Sequence, residues 1–313
     1  MALGDGARTV IDNCLAIKKG EQVLVVSDTE MRVIGHVLFK AAKDAGAEAI
    51  HMEMLTRDEH GQEPPSTVAQ AMKSAGAVIL ATTYSMTHTA ARREANRKGA
   101  RVVSMPGVTL NQMSNGGMTA DYREISKDIK RVSKYIVGSK QVEIRSENGT
   151  DLKLDVKGRD WVLDDNGLCF KKGTYTTLPA GEVFVAPIES SAEGTLIIDG
   201  YFGKILEKPV EMTMTKGIAV KIKYAPHFKE TFERYGRSIV TLSKLGIGFN
   251  PRSLFLGDPA GDIKKLGTMN VGFGSNLSIG GRIDCPINLT GVLQNASIMI
   301  DGRKIVENGN FAV

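Results

Sequence analysis

Gln22-Val23-Leu24-Val25-Val26-Ser27-Asp28 decides the fold. It is a short, unbroken apolar run rather than an alternating one. Such a run reads as a strand buried on both faces of a parallel sheet. Asp28 at its end reads as the cap of a following helix. The same unit repeats outward from there. Residues 34–45 have helical spacing and close at Gly46, a C-terminal stop signal. Residues 49–54 read as a second strand and 66–75 as a helix. Residues 77–81 form a third strand, 90–98 a helix ended by Gly99, and 101–105 a fourth strand. Strands and helices in alternation predict a parallel sheet with helices on both faces. Residues 121–139 predict a long helix leaving this α/β domain, which is placed at 1–139.

From residue 140 the pattern changes. Residues 141–156 hold two short alternating segments around Glu147-Asn148-Gly149-Thr150, a hairpin turn sequence. Short strands separated by glycine continue to the end, among them Thr195-Leu196-Ile197-Ile198 and Ala296-Ser297-Ile298-Met299-Ile300. One helix, about 228–245, is expected to interrupt them. Residues 140–313 are therefore predicted to form a mainly antiparallel β (α+β) domain.

Composition narrows the class. A chain of 313 residues with 42% hydrophobic and 24% charged residues can build a large core. No apolar run approaches the ~18 residues that a membrane span needs. The opening Met1-Ala2-Leu3-Gly4-Asp5-Gly6 lacks the basic and then apolar regions of a signal peptide. Cys14, Cys169 and Cys285 are far apart and odd in number, which predicts reduced thiols and a cytoplasmic location. The net charge of +5 is spread among acids, as in Glu124-Ile125-Ser126-Lys127-Asp128-Ile129-Lys130-Arg131. No aromatic-basic platform accompanies it, so nucleic acid is not expected as a partner. A small-molecule substrate is.

The second half contains a series of framed segments. They read Leu178-Pro179-Ala180-Gly181-Glu182-Val183-Phe184, Leu245-Gly246-Ile247-Gly248-Phe249-Asn250-Pro251, Gly267-Thr268-Met269-Asn270-Val271-Gly272-Phe273-Gly274 and Cys285-Pro286-Ile287-Asn288-Leu289-Thr290-Gly291. The first half adds Tyr84-Ser85-Met86-Thr87-His88-Thr89-Ala90-Ala91-Arg92 and Gly99-Ala100-Arg101-Val102-Val103-Ser104-Met105-Pro106-Gly107-Val108-Thr109. As a set these resemble the thermophilic metallo-aminopeptidase family (the aminopeptidase T group) and its relative, 2,5-dihydroxypyridine 5,6-dioxygenase. The resemblance runs over essentially the whole chain. It implies an α/β domain with a β-rich domain folded against it, an active site between them, and a homo-oligomer.

The resemblance also implies a metal site, and this sequence departs from it. In the peptidases the Glu matching Glu182 is a ligand, and a second Glu precedes the Leu-Gly-Ile-Gly segment. A His stands where Asn270 is, and a His-x-Asp pair stands at Asn288 and Thr290. Here Glu182 remains, while Lys244 precedes Leu245. Zinc, cobalt and iron require thiolate, imidazole or carboxylate donors. The expectation is therefore no cofactor and no family metal.

His88 lies just past the third strand, where ligands of open parallel sheets collect, and before a helix start with amide donors. A His there can move a proton near neutral pH. The resemblance adds that the matching His of the ring-cleaving relative lies beside its substrate. His36, His51, His60 and His227 read as helix, strand, loop and capping residues. No Gly-x-Ser-x-Gly elbow supports a serine hydrolase, and the glycines at 272, 274, 280 and 281 read as turns rather than a phosphate loop. Glu189 and Glu193 follow Glu182 without a pattern that says which of them faces a site. The expected function is a metal-independent hydrolase-like enzyme, opening an amide or ring of a small molecule. His88, Glu182 and Lys244 are its catalytic candidates; Asn270, Asn288 and Thr290 are its substrate-binding ones. The alternatives are a non-catalytic binding protein and a metallo-aminopeptidase.

Overall fold

The computed structural model describes residues 3–257 and 259–313. The chain divides into two compact units. The first comprises Met1–Ser126, Asp165–Gly181 and Pro251–Ser253; the second comprises Lys127–Asp164, Glu182–Asn250 and Leu254–Val313.

The first unit is built around its first strand. Gln22–Asp28 is buried from Val23 onward, and it pairs in parallel with Glu48–Met54 and Ala77–Ala81. Arg101–Ser104 extends the sheet in parallel. The helices Arg32–Asp44, Ser66–Ser74 and Ala90–Arg97 fall between the strands as expected. Apolar residues of the strands and helices meet in one core, where Leu24, Val26, Met72, Val78, Leu80 and Met86 pack together.

Two features of this unit differ from expectation. Tyr175–Thr177 returns from far along the chain and adds a fifth parallel strand beside Arg101–Ser104. Asp28 does not cap the next helix, which starts after Met31 with no side-chain cap. Its carboxylate instead accepts from the Met31 amide at 3.1 Å, the Thr83 amide at 2.6 Å and the Thr83 hydroxyl at 3.0 Å. It therefore ties the ends of the first and third strands together.

The second unit holds two antiparallel sheets. One has eight strands and includes the predicted hairpin, Gln141–Arg145 paired with Asp151–Asp155. The other has five, and in it Glu182–Val185, Leu242–Gly248, Met269–Gly274 and Asn288–Leu293 are successive neighbours. The helix expected over about 228–245 is shorter than predicted. Helical residues are Lys229–Tyr235 and Arg237–Val240, separated by Gly236 at φ 53°, ψ −132°. That conformation breaks the helix and is open to glycine. Lys244 consequently lies in a strand, not at a helix end.

Among the described residues no helix is long and apolar enough to cross a membrane. All three cysteines are buried and unbridged.

Candidate functional site

The five-stranded sheet gathers most of the candidate residues on one face. Its register sets Glu182 opposite Gly248, and Gly246 between Phe184 and Asn270. Lys244 and Thr290 flank Gly272, and Asn288 lies opposite Gly274. Directly opposed residues of antiparallel strands project to the same side. Glu182, Lys244, Asn270, Asn288 and Thr290 therefore share a face, although they are scattered in sequence.

Glycine makes room for them. A Cβ at Gly246 would lie 2.1 Å from Glu182 Oε1 and 2.7 Å from both terminal atoms of Asn270. One at Gly272 would lie 2.8 Å from the Cβ of Lys244. The repeated glycines of the framed segments thus leave space for large polar neighbours on the adjoining strands.

At the centre is Glu182, 1% exposed. Its Oε1 lies 2.6 Å from Lys244 Nζ and accepts from Asn270 Nδ2 at 2.9 Å. Its Oε2 accepts from Lys264 Nζ at 2.8 Å. Burial pushes the carboxyl pKa up, but the charges of Lys244 and Lys264 and the hydrogen bonds from both outweigh it. The result is a value lowered from 4.5 to about 2. Lys244 also stands over the Phe184 ring, 4.5 Å from its centroid, a favourable cation–π placement. Asn270 is fully buried, and its Oδ1 has no hydrogen-bond partner among the described residues.

Lys264 is the residue that sequence reasoning missed. It lies in the loop after Pro259–Asp262, outside every framed segment. The loop is fixed from both sides: the Asn250 amide donates to the Lys264 carbonyl at 2.7 Å, and Asp262 accepts from the Leu256 amide at 2.8 Å. No periodicity marks the lysine, and only the return of this loop brings it to Glu182.

The residues present do not fit zinc, cobalt or iron. The single carboxylate has an ammonium on each oxygen, and Asn and Thr are weak donors to such metals. Among the described residues no group of three or more His, Cys, Asp or Glu side chains could hold a metal ion.

The remaining candidates are placed differently. Asn288 is exposed and Thr290 half-buried on the same sheet face. Glu189 is held by Arg159 at 2.6 Å, the Arg282 amide at 2.8 Å and Asn276 at 3.2 Å. Glu193 accepts from the Lys216 amide at 2.7 Å. Neither contacts the Glu182 cluster in these hydrogen bonds.

His88 belongs to the first unit, where it is exposed. Partial burial of the ring, followed by the charges of Arg92 and Arg93, lowers its pKa. The helix start beside it is already occupied, since Glu63 accepts from the Ala90 and Ala91 amides. Thr89, the N-cap, accepts from the Arg92 amide at 3.2 Å. His51 contacts the Ser27 hydroxyl at 2.8 Å, and His60 accepts from the Ser85 amide at 3.0 Å. His36 lies in the Arg32–Asp44 helix. His227 falls in a short 3-10 turn, Pro226–Phe228, and its side chain lies outside the described residues.

Comparison with known proteins fixes the family. The NicX family, 2,5-dihydroxypyridine 5,6-dioxygenase, matches residues 5–313. A curated 2,5-dihydroxypyridine 5,6-dioxygenase of Pseudomonas putida is 23% identical over 190 residues. That match covers 55% of this chain and 54% of the relative, so the chain spans about half the length of the curated protein it matches. The solved 2,5-dihydroxypyridine dioxygenase of Pseudomonas putida KT2440 has the same fold, with a TM-score of 0.79 at 18% identity. The match covers 99% of this chain and 97% of that one. Wild-type AmpT from Thermus thermophilus follows, with a TM-score of 0.70 at 14% identity and 99% of each chain covered.

These matches correct the expected hydrolase. The family and the curated relative are dioxygenases, and neither a non-catalytic protein nor a metallo-aminopeptidase fits better. The geometry supplies a physical reason. A carboxylate whose pKa is lowered to about 2 by two ammonium groups is a poor base for activating water. The match from residue 5 to residue 313 places the chain in the 2,5-dihydroxypyridine 5,6-dioxygenase family, NicX.

Proposed function

We propose that the chain is an oxygenase that opens a small hydroxylated aromatic ring, a dihydroxypyridine or close analogue, with dioxygen. One observation carries this reading: the NicX match runs through both compact units and includes every residue of the Glu182 cluster. The chemistry of the cluster supports it. Ammonium groups favour a ring hydroxyl in its anionic form, the form most ready to give electrons to dioxygen. The buried Asn270 Oδ1 adds an acceptor that no described residue uses. In the overall reaction one ring carbon–carbon bond breaks and each of its carbons takes one atom of dioxygen. The ring supplies the electrons, so no outside reductant is needed.

His88 is proposed as a proton-transfer residue on chemical grounds. Its lowered pKa favours the neutral imidazole, which can accept a hydroxyl proton. His88→Ala should reduce turnover by roughly 10²–10⁴-fold with the fold unchanged; full activity would remove it from the mechanism. We place the protein in the cytoplasm as a homo-oligomer, supported by the unbridged cysteines and the family resemblance.

The test is incubation with 2,5-dihydroxypyridine under ¹⁸O-labelled dioxygen, with chelator and separately with added iron(II). Loss of ring absorbance with both labelled atoms in the product supports the reading. No dioxygen uptake with this or related hydroxypyridines in either condition overturns it.

A further inference from the structure

The face of the five-stranded sheet that gathers Glu182 and Asn270 is built around positive charge. Lys244 and Lys264 contact different oxygens of the one buried carboxylate, at 2.6 and 2.8 Å. A divalent ion using Glu182 as a ligand would compete with these charge-assisted contacts for the two oxygens. It would then sit beside two ammonium groups that repel it.

The surroundings are also shaped for the lysines. Gly272 leaves room where a Cβ would meet the Lys244 Cβ at 2.8 Å, and Gly246 leaves room for Glu182 and Asn270. Phe184 offers its ring face to the Lys244 ammonium at 4.5 Å. This last contact suits a cation on a side chain, and nothing in it serves metal ligation. Both lysine side chains are largely buried, at 22% and 12% exposed. They are part of the site's construction rather than passing surface charges.

We propose that this position takes no divalent metal in the working protein, and that Lys244 and Lys264 supply the positive charge there as fixed ammonium groups. What that charge does to substrate rests on the oxygenase reading; the exclusion of metal rests on the geometry alone. In that reading the ammonium groups stabilise the ring anion and the negative charge that develops on oxygen as the ring gives up its electrons. Dioxygen is the oxidant, the ring is oxidised, and both oxygen atoms remain in the product.

The test uses the full chain, purified without added metal and then dialysed against iron(II), cobalt(II) or zinc(II). Sub-stoichiometric uptake is expected, with the amide signals of Gly246 and Asn270 unbroadened by cobalt(II). Stoichiometric uptake with broadening of those two signals overturns the proposal, and needs no variant that might misfold. A Lys244→Glu, Asn270→His double variant should gain the visible absorption of protein-bound cobalt. If this variant folds and takes up no more cobalt than the wild type, the lysine is not what excludes metal and the proposal fails. Turnover with chelator present supports the proposal. Turnover that requires stoichiometric iron overturns it while leaving the oxygenase reading in place. No turnover in a protein that also binds no metal overturns the oxygenase reading and leaves the exclusion of metal standing.

Discussion

Two polar regions of this protein solve the same problem in different ways. At the end of the parallel sheet, Asp28 is buried but is satisfied by neutral donors, the Met31 and Thr83 amides and the Thr83 hydroxyl. On the antiparallel sheet, Glu182 is equally buried but is met by two cations and one amide. Neutral donors give a firm structural tie. Cations give that and also a strong local charge, which a structural tie does not require. Stability alone gives little reason for the second arrangement, since a buried ion cluster is often no more stabilising than apolar packing.

The largest expected effect tests that contrast directly. Glu182→Ala removes the carboxylate that holds both ammonium groups and should cost about 3–5 kcal/mol in denaturant unfolding. A loss below ~1 kcal/mol would mean that the cluster behaves as a screened surface pair. Acid should expose the same dependence. The folded-state pKa of Glu182 lies below its ordinary value, so its stabilisation is present above pH 4.5 and disappears as pH falls toward about 2. Unfolding followed across that window should show a smaller acid-induced loss in Glu182→Gln than in the wild type. Equal slopes would remove the ion cluster as a source of acid sensitivity.

Asp28→Ala should be milder, at roughly 1.5–3 kcal/mol, because it removes hydrogen bonds to a charged acceptor without leaving cations buried. A cost matching that of Glu182→Ala would erase the distinction between the two regions. The smallest effect belongs to Glu63→Ala, which removes the acceptor at the start of the Ala90–Arg97 helix. About 1 kcal/mol is expected, as for loss of a helix cap. Thermal unfolding can measure it, and no change at all would mean that the Thr89 cap suffices.

Much of the fold is legible in the chain. The apolar run at 23–26 and the helix stops at Gly46 and Gly99 report local preferences, and the first four parallel strands follow from them. The glycine frame likewise marks the strands that carry the site. Two elements escape such a reading for identifiable reasons. The expected helix over 228–245 is too long because Gly236, in the middle of a charged stretch, looks like a tolerable interruption until its backbone angles are known. Tyr175–Thr177 is too short to show a period of its own, and its place in the sheet depends on non-local pairing.

By itself the sequence determined the alternating architecture of the first unit, the β-rich character of the second, and the glycine-framed segments that carry Glu182, Lys244, Asn270, Asn288 and Thr290. These follow from residue type and short-range spacing, which the chain carries locally. Only the tertiary structure decided that Lys244 meets Glu182, that Lys264 meets its other oxygen, and that Glu63 takes the amides beside His88. Glu182 and Lys264 are 82 positions apart. Contacts at such separation depend on strand register and on the path of the Lys264 loop, and no local pattern encodes either.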